Sequence, residues 1–150
     1  ALANGVKVGE GFQEGVQMGP LNNRPQFERV KELVEQDVVD VLLGEDGWIV
    51  DGLQLGAKGV VGVAANVVPG LVAELVTALL ANQLATAPAL AENLAPLVRA
   101  LFLETNPAPL KAALECMGLC GSELRLPLVS IEASTRTALQ LALRQAGAIQ

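Results

Sequence analysis

Carboxylates and lysines supply most of the reactive side chains in this chain, which has 150 residues and no histidine. Glu45 and Asp46 are adjacent in the stretch GEDG. A general acid and base must converge on one reacting group, and neighbouring side chains do not do so naturally. We therefore expect the two carboxylates to form a turn that caps the helix that follows.

The lysines are the candidates for covalent chemistry with a carbonyl compound. A Schiff-base lysine needs a water-poor pocket that lowers its pKa. Lys31 lies on the charged face of a predicted helix, and Lys58 precedes a predicted strand. Lys7 and Lys111 complete the set. We expect each of the four to be solvated or to cap a helix.

Metal and nucleotide sites have little support in the sequence. Cys116 and Cys120 would need carboxylates to complete a zinc site, so they are interpreted as small apolar residues in a reducing compartment. The stretches GVKVGEG and GAKGVVG lack the full glycine spacing of phosphate-binding loops. We expect neither a metal nor a cofactor.

The overall composition excludes several partners. The formal net charge is −6, and aromatic residues make up 3% of the chain, so a nucleic-acid partner is not expected. No stretch supplies the run of about 20 apolar residues that a membrane span needs. The first residues show no basic start followed by an apolar stretch, so a cytoplasmic protein is expected.

The predicted secondary structure changes near Pro69, from alternating helices and strands to helices alone. Before it, a helix follows Asn23, a short strand covers residues 38–43, and a helix over residues 46–56 leads to an apolar run after Gly59. Strand, helix and strand form the parallel crossover unit. After Pro69, amphipathic helices are predicted over residues 70–82, 84–103, 108–119 and 131–146.

The sequence therefore predicts a mixed α/β chain that is mainly helical, with two parallel strands and a carboxyl-terminal helical bundle. Residues 1–23 are an irregular arm, residues 24–68 form a helix-strand-helix-strand unit, and residues 69–150 form a helical domain that is compact with it. In the motif ETNPAPLK, Asn106 and Pro107 are interpreted as a helix entry. The buried face after it is predicted to hold Leu110, Ala113 and Leu114.

Several motifs after residue 38 resemble one enzyme family. They are LLGEDG, LGAKGVVGVAANVVPGLVAEL, RALFLETNPAPLKAAL, MGL and LRLPLV. In this order and near this spacing, residues 38–147 resemble the carboxyl-terminal part of the dihydrodipicolinate synthase and N-acetylneuraminate lyase family, the pyruvate-dependent class I aldolases.

The resemblance implies a partial TIM barrel. Family members fold as an eight-stranded barrel with an added helical domain, and this chain would hold strands seven and eight. The Schiff-base lysine of the family belongs to strand six and its tyrosine to strand five, so both motifs fall outside the match. The resemblance places a backbone contact to pyruvate near Val61, with Gly44 and Glu45 lining the adjacent floor.

The amino-terminal segment resembles a different family. Residues 1–37, with GPL and the helix after it, are similar to a short segment of aldehyde dehydrogenases. Both resemblances together imply a hybrid chain joined between residues 24 and 38. The helix FERVKELVEQ could then replace the barrel helix before strand seven, with Phe27, Val30 and Leu33 buried against the strands.

Two functions follow from these observations. The first is a noncatalytic, self-associating fragment, because a two-stranded sheet exposes both edges and cannot bury its apolar strands alone. We then expect a homo-oligomer, a dimer or a tetramer. The second is an aldolase or lyase subunit that acts only if another chain supplies the missing strands. A nicotinamide-binding fragment is rejected, because the cofactor motif and nucleophile of aldehyde dehydrogenases lie outside the matched segment.

Overall fold

The computed structural model describes residues 24–36, 39–83 and 85–150. The helices are α1 (Arg24–Glu35), α2 (Ile49–Gln54), α3 (Pro69–Leu80), α4 (Ala87–Leu101), α5 (Ala108–Cys116) and α6 (Ala133–Gln145). The strands are β1 (Leu42–Leu43) and β2 (Gly59–Val60), and short 3-10 turns cover Asp46–Trp48 and Ala64–Asn66. The mainly helical fold with two parallel strands confirms the predicted fold class.

Helix α1 confirms the helix expected after Asn23. Pro25 lies in its first turn, where a missing N–H costs nothing. Leu33 is half-buried, as a residue on the apolar face should be. The side chains of Phe27 and Val30, and the whole predicted arm over residues 1–23, lie outside the described residues.

The two strands are parallel but much shorter than predicted. Leu42 pairs with Gly59 and Leu43 with Val60. The predicted strand over residues 38–43 is therefore wrong over residues 39–41, which are not strand, and residue 38 is not described. The apolar run after Gly59 is strand for two residues only and then turns into the 3-10 segment Ala64–Asn66.

The helices after Pro69 confirm the predicted change of pattern. Pro69 and Pro88 lie in the first turns of α3 and α4, where proline is compatible with the helix. Helix α5 ends at Cys116, three residues earlier than predicted, because the chain turns at Gly118 with φ of +73°. Cys120 consequently lies beyond the helix that carries Cys116.

Helix α4 is the centre of the helical region. It packs against α3, α5 and α6, and α2 packs against α3. Leu97, Leu101, Leu139 and Leu143 are fully buried between these helices. Burying a leucine side chain contributes about 1.5–3 kcal/mol, so these residues stabilise the helical region strongly.

The motif ETNPAPLK is part of this packing. Helix α5 begins directly after Pro107, which confirms the predicted helix entry. Ala113 is fully buried, whereas Leu110 and Leu114 are half-buried. The face that α5 buries most deeply is instead formed by small side chains, namely Ala108, Pro109, Ala112 and Ala113.

The strand pair has one covered face and one open face. Leu43 is buried, and Val60 packs against the helical core. Side chains alternate along a strand, so Leu42 points to the other face, where it is 56% exposed. No helix in the described part of the chain is long and apolar enough to cross a membrane.

Candidate functional site

The carboxyl ends of the two strands meet at one edge of the sheet, where Gly44 follows β1 and Val61 follows β2. The amide of Val61 donates to the carbonyl of Leu43 at 2.8 Å and so extends the ladder by one step. The register therefore brings Gly44 and Val61 side by side. Both are exposed, and 71% of Val61 is accessible.

Glu45 is the third residue expected at this edge. It lies in extended backbone, with φ of −123° and ψ of 117°, directly before the 3-10 turn Asp46–Trp48. Its side chain is exposed and makes no cap hydrogen bond to that turn. Glu45 is therefore an exposed residue beside Gly44, just beyond the carboxyl end of β1.

Asp46 has a role that the sequence did not indicate. It is 4% exposed, and its carboxylate accepts hydrogen bonds from the amides of Val63 at 2.7 Å and Ala64 at 3.2 Å. The prediction that Glu45 and Asp46 cap the helix that follows is wrong. Asp46 reaches across to the segment after β2, because that segment presents free amides to it.

This hydrogen bonding also explains why β2 is short. A longer strand would need the amides of Val63 and Ala64 to bond a neighbouring strand, but the Asp46 carboxylate binds both of them. Gly62 lies between Val61 and the two residues, Val63 and Ala64, whose amides bind Asp46. A Cβ at Gly62 would lie 2.9 Å from Cγ of Asp46, which real Cβ atoms do not tolerate.

The described lysines do not converge on the strand ends. Lys58 is exposed at the amino end of β2, the opposite edge of the sheet from Val61, and its amide donates to the carbonyl of Val41. Lys31 is exposed on α1, and Lys111 is half-buried on α5. Lys7 lies outside the described residues.

A groove of about 280 Å³ lies behind the turn that carries Asp46. Its walls come from α2, α3 and α4 and are mainly apolar. The lining residues include Ile49, Val50, Leu75, Leu94, Val98 and Arg99. None of the described lysines lines this groove, so it does not hold a candidate Schiff-base lysine.

A second polar cluster lies far from the strands along the chain. Glu115 of α5 accepts hydrogen bonds from the Ser122 hydroxyl at 2.5 Å and from the Arg136 guanidinium at 2.9 Å. The Ser122 bond, followed by the Arg136 bond, lowers the pKa of Glu115 from its ordinary value of 4.5. Through these two bonds, Glu115 connects the loop after α5 to helix α6.

The cysteines lie close to this cluster in sequence. Cys116 is half-buried, and Gln140 approaches its Sγ at 3.9 Å, whereas Cys120 is exposed. Within the described ranges, no three His, Cys, Asp or Glu side chains are grouped so as to hold a metal ion. The candidate site that remains is formed by the strand ends and the Asp46 carboxylate.

Comparison with known proteins gives a consistent result. Residues 17–146 match the dihydrodipicolinate synthetase family. A 4-hydroxy-tetrahydrodipicolinate synthase of Methanosarcina mazei is 42% identical over 125 residues, which are 81% of this chain and 43% of that protein.

Solved structures agree. A dihydrodipicolinate synthase of Thermotoga maritima superimposes with a TM-score of 0.75 at 35% identity, over 88% of this chain and 46% of that one. A chloride-inhibited dihydrodipicolinate synthase of Acinetobacter baumannii, complexed with pyruvate, gives a TM-score of 0.73 at 30% identity, over 90% of this chain and 47% of that one. The chain thus spans less than half the length of these relatives.

Proposed function

Since this chain belongs to the dihydrodipicolinate synthetase family, we propose that its 150 residues are a noncatalytic, self-associating relative of the pyruvate lyases. They would supply the last two strands of the barrel and the helical region after it. The observation that carries the proposal is a strand pair with an uncovered apolar face and no lysine, among those described, at its carboxyl edge.

The lysines support the noncatalytic part of the proposal. A lysine acts as a nucleophile when its ammonium pKa is lowered in a water-poor pocket. Lys31 and Lys58 are exposed, and Lys111 is half-buried on α5. The family resemblance puts the Schiff-base lysine on a strand outside the matched segment.

The strand pair supports the self-associating part. Leu42 and Val61 are 56% and 71% exposed on its open face. A closed barrel pairs each strand on both sides, whereas β1 and β2 pair only with each other in the described chain. Copies that cover this face would form a symmetric dimer, or a tetramer built from dimers.

Borohydride trapping tests the chemistry. We expect incubation of the full chain with pyruvate and borohydride to leave its mass unchanged by mass spectrometry, because none of the described lysines lies at the strand ends. An intact relative such as the Methanosarcina mazei enzyme is the positive control. A stable adduct on Lys58 or Lys111 would overturn the proposal and favour a functional aldolase.

A second candidate is a lyase subunit that becomes active when another chain supplies the missing strands. The side-by-side arrangement of Gly44 and Val61 favours it, because the resemblance assigns pyruvate contacts to these positions and to Glu45. Mixing this chain with the amino-terminal part of a relative, truncated before its matched segment, tests it. Appearance of pyruvate-dependent synthase activity in the mixture alone would support this candidate over the first.

We also propose that the chain is a hybrid, with an aldehyde dehydrogenase-like segment before the family segment. The family match begins at residue 17, upstream of the expected junction between residues 24 and 38. Support for the hybrid is the sequence likeness of residues 1–37, in which GPL and the helix after it are the recognisable part. Deleting residues 1–16 should leave the melting temperature unchanged if they are foreign to the core, whereas a marked drop would show that the core depends on them.

A further inference from the structure

We infer that Asp46 is a positioning residue, which fixes the chain after β2 so that Val61 presents its backbone beside Gly44 to a 2-oxo acid of the pyruvate class. The inference rests on the second candidate function, in which Gly44 and Val61 form a ligand site and are not covered by another copy of the chain. Asp46 itself contacts neither a ligand nor a reacting atom in this account.

The Asp46 carboxylate joins the two strand exits. It comes from the turn after β1, yet its partners are the amides of Val63 and Ala64 after β2, at 2.7 and 3.2 Å. Hydrogen bonds from amides to an ionised carboxylate are roughly twice as strong as those between neutral groups. The path of the chain after Val61 is thus set by a residue from the turn after the other strand.

Burial makes this connection difficult to replace. Asp46 is 4% exposed, and a buried carboxylate is costly unless hydrogen bonds compensate for lost water. The two amides provide that compensation, so opening the segment after β2 would leave the carboxylate unsatisfied. The carboxylate and the two amides therefore stabilise the same conformation of the segment after β2.

Side-chain packing in the described part of the chain does little to fix the position of Val61. Its side chain is 71% exposed, in contrast to Ala64, which is fully buried. The restraints seen there are the ladder hydrogen bond to Leu43 and the connection through Gly62 to the amides that Asp46 binds. Gly62 is required in that connection, since a Cβ there would overlap the carboxylate.

Amide hydrogen exchange on the full chain, measured by nitrogen-15 NMR, tests the inference. In Asp46→Asn the side chain keeps one acceptor oxygen and turns an NH2 donor toward the second amide. We expect the amides of Val63 and Ala64 to exchange at least about tenfold faster, and the amide of Val61 to be accelerated with them. Asp51→Asn, an exposed acid on α2, is the matched control and should change none of the three.

A role confined to the local turn predicts a different pattern. Asp46→Asn would then accelerate Val63 and Ala64 but leave the exchange and the resonances of Val61 and Gly44 unchanged, which would overturn the inference. The unaltered chain gives an independent measurement if the variant fails to fold. Its Val61, Val63 and Ala64 amides should share one opening free energy, and separate opening of Val61 would contradict the positioning role.

Pyruvate titration separates this inference from the proposed function. With pyruvate as the probe, the Gly44 and Val61 resonances of the unaltered chain should shift, and the shifts should weaken in Asp46→Asn but not in Asp51→Asn. Equal shifts in both variants would overturn the inference. If the unaltered chain shows no shift, the ligand-binding remnant is disproved, and the exchange of Val61 alone decides whether Asp46 positions the strand exit.

Discussion

The strand pair and the helical region of this chain differ in how completely they bury their apolar side chains. Helices α3 to α6 bury leucines among themselves, with Leu97 and Leu139 fully inaccessible. The strands bury Leu43 on one side and leave Leu42 and Val61 open on the other. The difference is that the helices cover their apolar side chains within the described chain, whereas one face of the strand pair is left open in it.

The largest effect on stability is expected in the helical region, where the apolar side chains are buried. Leu139→Ala removes a fully buried side chain of α6, the helix that packs against α4 and α5, and should lower the free energy of unfolding by about 2–5 kcal/mol. Leu141→Ala on the same helix is the matched control, because Leu141 is 58% exposed. Chemical denaturation of both variants measures the difference, and equal losses would contradict the closed core.

An intermediate effect is expected from the open face. If copies of the chain cover Val61, Val61→Lys should weaken association by about tenfold to a hundredfold, since a buried valine contributes about 1.5–3 kcal/mol. Concentration-dependent sedimentation measures this change. Leu126→Lys is the control, because Leu126 is 87% exposed in the loop between α5 and α6. Equal weakening by both variants would mean that the strand pair is not the associating surface.

The smallest effect is expected in the polar cluster of Glu115, Ser122 and Arg136. The Ser122 and Arg136 bonds lower the pKa of Glu115 in the folded chain below its value in the unfolded chain. A depressed carboxyl pKa stabilises the fold above the unfolded value, and this contribution is lost as pH falls through the folded pKa. Glu115→Gln should therefore lower the melting temperature slightly at neutral pH, and the difference should shrink as the pH falls below the ordinary pKa of 4.5.

Melting curves between neutral pH and pH 3 check this prediction. Glu92→Gln, at an exposed position on α4, is the matched control and should leave the pH dependence unchanged. A Glu115→Gln curve that runs parallel to the unaltered chain at every pH would show that the cluster contributes no pH-dependent stability.

The sequence predicted the helical region better than the strand ends. Pro69, Pro88 and Pro107 mark helix starts, because proline is favoured in or just before the first turn, and the apolar period does the rest. The buried role of Asp46 could not be predicted, since its partners lie 17 and 18 residues away. The pattern GEDG is typical of an exposed turn, and nothing in it reports a long-range hydrogen bond.

The same long-range contact explains the error in the strands. A run of apolar, β-branched residues such as VVGVAANV favours a strand locally. Val63 and Ala64 leave the sheet because their amides bind the Asp46 carboxylate, so the tertiary contact overrides the local preference. The positions of Gly44, Glu45 and Val61 came from the family resemblance, and their role as a ligand-binding remnant stays a prediction.

Sedimentation at micromolar concentration, combined with helix content from circular dichroism, tests the central claim most directly. The chain has a mass of 15.6 kDa. We predict a helical dimer or tetramer with no folded monomer, because the exposed side chains of Leu42 and Val61 on the strand pair need a cover that the described chain does not supply. A compact monomer of 15.6 kDa that melts cooperatively would contradict the account.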